Sequence, residues 1–402
     1  MISVTEGQAT IDQHVTALEA ETVSLAEVHG RVLREAVASA EDIPGFDRSA
    51  MDGYAVRLDD VHEVFEVVGE IRAGSVVDQE LQPGQAIRIF TGARMPGAGL
   101  RVILQEHVEA HGARIWIVKK SAAICVRHRG EDARAGESLL EKGMILNAAA
   151  CALLASLGHV SVQVSRQPRI LHLTTGDEIV PPAETPRSGQ IRNSNASLIA
   201  ALCREHGGGA VTHLHAPDDL AVMTDMLSQA KTETFDLVLI SGGSGPGAYD
   251  FSGKLFEHLG ATLHFRQVNV RPGKPLMFGT TSSQIVFGLP GNALSHFVCF
   301  HLFVRRALER LVALPVSATV QARLAEAMAE TMDARDTWWP AQVQVDAGQL
   351  MVRALPWKSS GDITRLPAAQ AVLHVPASTS NLPAGTMVDM LSTQSSHAYA
   401  CS

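Results

Sequence analysis

Apolar strands alternate with helices across residues 169–313, and this alternation constrains the fold more than any other feature of the sequence. Four segments have the composition of buried strands, namely RILHLTTG, VTHLHAPD, FDLVLISGG and SQIVFGLPG. Helices are predicted to follow them near residues 197–205, 220–230, 251–259 and 293–313. Because a helix between two strands returns the chain to the same edge of a sheet, such strands lie parallel. We therefore predict an α/β domain with a mainly parallel sheet that is covered on both faces.

The chain on either side of this region has different patterns. A helix is predicted to open the chain within residues 10–39, and an Ala-rich helix is predicted at 147–157. Between them, residues 54–130 contain short strand candidates separated by Gly or Pro turns, which is typical of a small barrel or sandwich. Beyond Pro315, a strand-rich module is predicted to extend to the C-terminus. A chain of 402 residues is expected to form two to four domains.

Composition argues against several classes of function. A net charge of −9 without a run of Lys or Arg argues against a nucleic-acid surface, because phosphate binding favours basic patches. Five cysteines without CxxC spacing are typical of buried thiols in a reducing compartment. No segment has the length of a membrane span or the pattern of a signal peptide, so we expect a cytoplasmic protein without membrane contact.

Polar or Gly-rich loops follow the strands of the predicted sheet, which is where open parallel sheets bind ligands. These loops comprise residues 174–178, 241–247, 271–275 and 288–292, with Asp250 shortly after the second. Gly-rich turns at helix N-termini expose backbone N–H groups that bind anions. A single turn of this kind is more often simple geometry, but four together favour a nucleotide or another phosphorylated ligand.

Charged side chains in these loops are complementary to such a ligand. Arg271 and Lys274, which prolines flank, could bind a phosphate or another oxyanion. Glu178, Asp218 and Asp250 could hold a hard cation such as Mg²⁺ that bridges phosphate oxygens. The sequence lacks a Walker loop, a GxGxxG fingerprint, a GxSxG elbow and the ligand spacing of a zinc site. ATPase, dehydrogenase, serine hydrolase and zinc-enzyme functions are therefore not supported.

Residues 43–56, IPGFDRSAMDGYAV, form a second informative segment. Asp47 and Ser49 can hydrogen-bond their own backbone in a turn, and Gly53 permits the close approach of another chain segment. The segment is either a loop that caps the next strand or one wall of a functional site. Its residues alone leave both interpretations open.

Seven motifs occur in the order in which the MoeA family has them. They are IPGFDRSAMDGYAV, RIFTGARMP, RGED, TTGDE, SGG followed by Asp250, RPGKP and GLPGN. The chain therefore resembles the molybdopterin molybdenumtransferases and the matching domain of gephyrin, from about Thr10 to the C-terminus. The resemblance implies a multidomain α/β plus β architecture. Its parts would be a helical linker (1–39 and 131–167), an inserted β-rich domain (40–130), an α/β molybdopterin-binding domain (168–314) and a C-terminal β-barrel-like domain (315–402).

The resemblance also implies an activity in molybdenum cofactor biosynthesis. MoeA-like proteins are transferases that insert molybdate into adenylylated molybdopterin, with Mg²⁺-dependent release of AMP. They are homodimers whose active site is shared between the α/β domain of one subunit and the β-rich domain of the other. The sequence leaves open whether a separate molybdopterin adenylyltransferase is a partner, and whether molybdate or tungstate is preferred.

Site residues are carried over from the family motifs position by position. The resemblance implies catalytic roles for Asp52, Thr91, Asp132, Glu178, Asp218 and Asp250, of which the last three would bind the metal. It implies substrate or oxyanion binding by Ser241, Gly242, Gly243, Arg271, Pro272, Gly273, Lys274, Pro290, Gly291, Asn292 and Ser360.

Several positions depart from the family pattern. The glycine loop reads SGGSGPGAYD, so that Ser244, Gly245 and Ala248 replace the usual Val, Ser and acidic residue. Gln267 stands where lysine is common, and Ala293 where proline is usual. Two alternatives to metal transfer therefore stay open. One is a non-catalytic molybdopterin-binding or scaffold paralogue, and the other is a nucleotide-cleaving enzyme that shares the α/β domain.

Overall fold

A computed structural model of the chain describes residues 1–243, 251–329, 333–379 and 381–394. The chain divides into two compact units. The larger unit comprises Met1–Arg34, Gly143–Ala148 and Ser161–Ser402, and the smaller unit comprises Glu35–Lys142 and Ala149–Val160. The predicted loop positions 244–250, including Asp250, lie outside the described residues. No described helix is both long enough and apolar enough to cross a bilayer.

A six-stranded sheet lies in the larger unit. Its spatial order is Val211–Ala216, Ile170–Thr175, Leu237–Ser241, Ile285–Leu289, Met277–Thr280 and Thr262–Phe265. The first four strands run parallel, and the last two are antiparallel to their neighbours. The prediction of a mainly parallel sheet is therefore confirmed. Three of the parallel strands are buried at every residue, which suits a sheet between helices. The edge strand Val211–Ala216 is only partly buried, because it has a neighbouring strand on one side alone.

Helices cover both faces of this sheet. They span Ser194–Glu205, Leu220–Gln229, Phe251–His258, Ala293–Cys299 and Arg305–Leu311, with a π-helical turn at Phe300–Val304 between the last two. Successive strand residues point to opposite faces. Leu237 and Leu239 accordingly lie in one apolar cluster, whereas Val238 and Ile240 lie in another. The two clusters form separate cores, one on each side of the sheet.

A closed five-stranded barrel follows in the same unit. Its strands are Val320–Leu324, Asp336–Asp346, Gln349–Ala354, Ala371–Val375 and Met387–Ser392. Each of them pairs with two others in the barrel, so the ring has no free edge. The short strand Val270–Arg271 also pairs with Asp336–Asp346. This pairing ties the RPGKP loop to the barrel, and the predicted fold class is confirmed.

The N-terminal part of the larger unit differs from the prediction. The helix spans Val4–His14 rather than residues 10–39, because Ser3 and Glu6 form a capping box that satisfies its first N–H groups. The strand Ala20–Ser24 follows and pairs with Ser161–Ser165. The segments assigned to a helical linker are therefore rich in strands as well. The helix predicted at 147–157 is present as Ala148–Ser156.

The smaller unit is β-rich, as predicted. Its six-stranded sheet has the spatial order Leu100–Leu104, Gly53–Arg57, Gln85–Ile89, Val64–Ile71, Arg114–Ile117 and Val108–His111. Short ladders add Arg48–Ser49 with Val126–Arg127, and Val37–Ala38 with Ser138–Leu140. In the larger unit, short ladders join Ile179–Val180 to Ile191–Arg192 and Met328–Ala329 to Asn381–Leu382. Single 3₁₀ turns span Leu25–Glu27, Gln105–His107, Thr232–Thr234 and Leu366–Ala368.

Candidate functional site

Loops at the carboxyl edge of the parallel strands surround a first cavity of about 380 Å³ in the larger unit. The predicted site residues that line it are Glu178, Asp218, Ser241, Gly242, Gly243, Gly291 and Asn292. They come from loops that are distant in sequence. Parallel strands bring them together because all of their carboxyl ends meet at one edge of the sheet.

One side of the first cavity is acidic. Partial burial raises the pKa of Asp218, and the negative charges of Asp177 and Glu178 raise it further. The Asp218 backbone N–H also donates to Asp177 Oδ1 at 3.2 Å. Three carboxyl groups therefore share one region, and a cation there would relieve their mutual repulsion.

The acidic side fits Mg²⁺, although the described residues do not form a complete metal cluster. Within the described residues, no group of three or more His, Cys, Asp or Glu side chains is arranged to hold a metal ion. Mg²⁺ commonly takes one or two carboxylates and completes its shell with water and substrate phosphates. Glu178 and Asp218 are sufficient for that type of site.

The glycine turn after the strand Leu237–Ser241 lies against the neighbouring loop. A Cβ atom built on Gly242 would lie 2.7 Å from Thr175 Oγ1, and the φ of Gly242 is +102°. Only glycine accommodates both this positive φ and this close contact with Thr175. Ser241 itself is 2% exposed, and its hydroxyl bonds to buried histidines rather than facing the cavity. Ser241 therefore contributes to the site through its position beneath the turn.

A second cavity, of about 1040 Å³, lies beside the RPGKP loop. The predicted residues that line it are Arg271, Pro272, Gly273, Lys274, Pro290, Gly291, Asn292 and Ser360. Arg266, Arg335 and Lys358 also line it, together with Gln267, which occupies the position where the family commonly has lysine. The second cavity is thus basic. It shares Gly291 and Asn292 with the first cavity, so the acidic and basic regions adjoin.

Contacts with the barrel hold Arg271 at the second cavity. The guanidinium carbon of Arg271 is 5.2 Å from the centre of the Trp357 ring, and Arg271 Nε is 3.5 Å from Asp333 Oδ2. A hydrogen bond from Arg335, with Nε 2.9 Å from Asp333 Oδ1, is the main cause of the lowered pKa of Asp333. The Arg271 side chain remains 34% exposed, so it can still bind an anion.

A loop of the barrel also reaches the junction of the two cavities. Asn292 Nδ2 donates to Ser360 Oγ at 2.7 Å, and the Leu294 backbone N–H donates to Ser360 O at 3.0 Å. Gly361 lines the first cavity. Ser360 is therefore bonded to Asn292, a residue that both cavities share.

Asp52 and Thr91 meet in the smaller unit. Asp52 Oδ1 accepts hydrogen bonds from the Thr91 backbone N–H and from Thr91 Oγ1, each at 2.7 Å. The backbone bond from Thr91 is the largest cause that lowers the pKa of Asp52, and the hydroxyl bond adds to it. Asp52 is therefore a carboxylate at neutral pH, held in one orientation.

The 43–56 segment packs against the RGED loop of the same unit. Asp47 Oδ1 accepts from the Arg129 backbone N–H at 2.8 Å, and the Asp132 backbone N–H donates to Ile43 O at 2.9 Å. The Asp132 side chain is exposed and pairs with Arg127. Much of this segment thus performs the structural role of a loop that packs on its neighbours, and Asp52 within it is half-buried.

Some lining residues were not predicted from the sequence. Arg335 and Lys358 belong to the barrel, and Asn195 donates through Nδ2 to Gly291 O at 2.8 Å across the first cavity. His172 and His296 lie buried beneath the glycine turn. Neither motif nor spacing marks these residues, because their positions depend on how the strands, the helices and the barrel pack in the folded chain.

Comparisons with known proteins agree with this architecture. Residues 2–158 match the model of the MoeA N-terminal region (domain I and II). Residues 172–310 match a probable molybdopterin binding domain, and residues 321–392 match the MoeA C-terminal region (domain IV). The three models together cover nearly the whole chain in the order in which the structure presents its parts.

The chain is also similar to individual proteins. A molybdopterin molybdenumtransferase of a Nostoc species is 39% identical over 304 residues, covering 73% of this chain and 70% of that protein. A molybdopterin molybdenumtransferase from Bacillus subtilis is 32% identical, and the match covers 93% of this chain and 90% of that protein. A crystal structure of a molybdopterin biosynthesis MoeA protein from Pyrococcus horikoshii has a TM-score of 0.80 and 29% identity. It covers 98% of this chain and 100% of that one.

Proposed function

The chain belongs to the MoeA family, and from that premise we propose that it is a molybdopterin molybdenumtransferase of molybdenum cofactor biosynthesis. Its substrates would be adenylylated molybdopterin and molybdate, and its products the metal-bearing cofactor and AMP. The observation that carries this proposal is the junction of an acidic and a basic cavity at Gly291 and Asn292. A ligand with phosphate groups could extend across that junction, with a cation at one end and guanidinium groups at the other.

The residues of the two cavities suit separate tasks. Arg271 and Lys274 would bind phosphate oxygens or the tetrahedral molybdate dianion, because both present N–H donors with positive charge. Backbone N–H groups of the glycine turn would orient the ligand without adding charge. Glu178 and Asp218 would hold Mg²⁺, with Asp250 as a further ligand that the resemblance implies. Bound Mg²⁺ would neutralise phosphate charge as the bond to AMP breaks.

We propose further that the protein is a cytoplasmic homodimer in which Asp52 acts on ligand held by the partner subunit. Support for this arrangement comes from the Asp52 carboxylate, which two hydrogen bonds from Thr91 hold in one orientation. Arg88 of the same unit attracts it, but no salt bridge among the described residues includes Asp52. Mixing inactive Asp52→Ala and Glu178→Ala proteins should restore part of the activity, because some mixed dimers then contain one intact site. No restoration after subunit exchange would refute the shared site.

The direct test is release of AMP from adenylylated molybdopterin by the purified protein, with Mg²⁺ and molybdate present. We expect turnover by the native chain and a loss of at least about tenfold in kcat/KM for Arg271→Ala, because one charge-assisted contact contributes roughly 1.5–3 kcal/mol. Arg353→Ala is a matched control, since Arg353 is an exposed barrel residue that lines neither cavity. Absence of AMP where a related enzyme turns over would refute the proposal.

The two alternatives from the sequence are less well supported. The relatives are named as transferases, which favours neither a scaffold protein nor a general nucleotide-cleaving enzyme. Tight binding of adenylylated molybdopterin without turnover would nevertheless favour a scaffold role. Hydrolysis of an unrelated dinucleotide such as ADP-ribose at a comparable rate would favour the nucleotide-cleaving role.

A further inference from the structure

Buried hydrogen bonds connect strand ends beneath the first cavity. His172 Nε2 lies 2.7 Å from Ser241 Oγ, and Ser241 Oγ lies 2.6 Å from His296 Nε2. His296 Nδ1 in turn lies 3.2 Å from Asn292 O. Both imidazole rings are fully buried, with exposed fractions of 0%. The three polar side chains thus form one chain of bonds in a water-excluded region.

The direction of each bond follows from the one group that can only accept. Asn292 O is a carbonyl oxygen, so His296 Nδ1 carries the proton and His296 Nε2 is an acceptor. The Ser241 hydroxyl must then donate to His296, and it accepts from His172 Nε2–H. His172 Nδ1 is left without a proton, and it has no partner among the described residues.

Neutral rings are required for this pattern, and the burial of both residues keeps them neutral. Burial lowers the pKa of His296 to about 4. Burial also lowers the pKa of His172 well below its usual range, and the neighbouring His296 and His213 lower it further. At pH 7 each ring therefore has one donor and one acceptor nitrogen.

The chain of bonds extends to both ligand-facing turns. Ser241 directly precedes Gly242, whose backbone position is constrained by contact with Thr175. Asn292 accepts the bond from His296 and donates through its side chain to Ser360 Oγ at 2.7 Å. A displacement of either histidine would consequently move the glycine turn, the GLPGN loop or the barrel loop.

We propose that His172 and His296 are positioning residues that hold the glycine turn and the Asn292–Ser360 contact in register through Ser241. Neither ring touches the cavities: His172 and His296 are absent from both linings. Their effect on a bound substrate would be indirect, through the atoms that they orient. The kinetic test of this positioning role rests on the proposed function. The hydrogen-bonding pattern of the two histidines can be measured without any substrate.

The bonding pattern is tested by nuclear magnetic resonance on the full-length native protein labelled with ¹⁵N-histidine. Two-bond proton–nitrogen spectra should show His296 as the Nδ1–H tautomer and His172 as the Nε2–H tautomer at pH 7. Loss of the corresponding signals in His172→Gln and His296→Gln assigns them. An Nε2–H tautomer at His296, or an averaged signal for either ring, would overturn the proposal whether or not the protein releases AMP.

The positioning effect is tested by comparing His296→Gln with His296→Phe. The Gln side chain can place an acceptor near the original Nε2, whereas Phe fills the volume without polar atoms. We expect His296→Phe to raise the KM for adenylylated molybdopterin about tenfold, with kcat changed less than about twofold. His296→Gln should recover part of this loss, because Gln restores the acceptor for Ser241 but not the donor to Asn292 O. Equal effects of Gln and Phe would overturn the proposal, as would no effect of Phe.

His301→Phe is the matched control, because His301 is equally buried but neither ring nitrogen has a partner among the described residues. Its KM should remain within about twofold of the native value. Hydrogen exchange adds a measurement that needs no turnover: the Leu294 amide, which donates to Ser360 O, should exchange faster in His296→Phe than in the native protein, because the bond from His296 Nδ1 to Asn292 O is lost. Exchange at the native rate in His296→Phe contradicts the proposed link to Ser360.

Discussion

Replacing Gly273 by alanine provides a sharp test of how the RPGKP loop is held. A Cβ atom on Gly273 would lie 2.4 Å from Cys299 Sγ, and the φ of Gly273 is +123°. The unfavourable φ costs roughly 1–3 kcal/mol for a residue with a side chain. Overpacking against the sulfur costs roughly another 1–3 kcal/mol, because Cys299 is fully buried. We expect Gly273→Ala to lower the free energy of unfolding by roughly 2–6 kcal/mol.

A second substitution separates the two contributions. Cys299→Ala removes the sulfur and alone should cost about 1 kcal/mol through the small cavity that it leaves. In the double variant the new methyl group occupies that space, so the two losses should not add. We expect a coupling free energy of at least about 1 kcal/mol in the stabilising direction. The loss of stability caused by the unfavourable φ at residue 273 should persist in the double variant.

Urea unfolding of the four full-length proteins, followed by circular dichroism, measures this cycle. Gly260→Ala is the control for conformation alone, since its φ is +67° and a Cβ atom there would meet nothing within 4 Å. It should lose roughly 1–2 kcal/mol. If the double variant loses the full sum of the two single losses, the methyl group and the sulfur do not meet, and the reasoning is wrong.

Three further predictions concern charge and capping. Asp218→Asn should raise the melting temperature at neutral pH in the absence of divalent cations. The pKa of Asp218 is raised in the folded chain, so the ionised carboxylate destabilises the fold at a pH above that pKa, and asparagine removes this charge. Added Mg²⁺ should then stabilise the native chain more than the variant, and equal stabilisation would argue against a cation at Asp218. Thr91→Val should raise the pKa of Asp52 towards its usual value, measurable by ¹³C titration, because one of two hydrogen bonds to the carboxylate is lost. The lowered pKa of Asp52 favours folding above its unfolded pKa, and that contribution should disappear as pH falls through the folded value. Ser3→Ala should cost about 1 kcal/mol and speed hydrogen exchange in Val4–His14, since Ser3 Oγ accepts from the Glu6 N–H at 3.1 Å; unchanged exchange would contradict the capping role.

Local sequence patterns predicted most elements of the α/β domain. The helix expected at 220–230 is present as Leu220–Gln229, because Asp219 caps its start and its apolar residues face the sheet. The N-terminal region was predicted wrongly for a physical reason. The strand Ala20–Ser24 gains its hydrogen bonds from Ser161–Ser165, a segment far away in sequence, and such pairing overrides local helix preference.

The candidate site, too, could be predicted only in part from the sequence. Gly-rich turns, Arg271 and the acidic residues could be identified from the sequence because they follow predicted strands, and parallel strands end at one edge. The basic contribution of Arg335 could not be identified, because it depends on how the barrel closes and pairs with the strand Val270–Arg271. The role of Ser241 also changed, since its hydroxyl lies against two buried histidines rather than in the cavity.

Residue patterns alone predict the alternation of parallel strands and helices in the α/β domain, the family and the loops that carry polar side chains. These properties depend on residue spacing along the chain, which periodicity and turn composition encode directly. The adjoining acidic and basic cavities at Gly291 and Asn292, and the support that His172 and His296 give to the turn above them, are visible only in the folded chain. Hydrogen bonds and close contacts depend on distances through space, and those distances are set by packing between segments that are far apart in sequence.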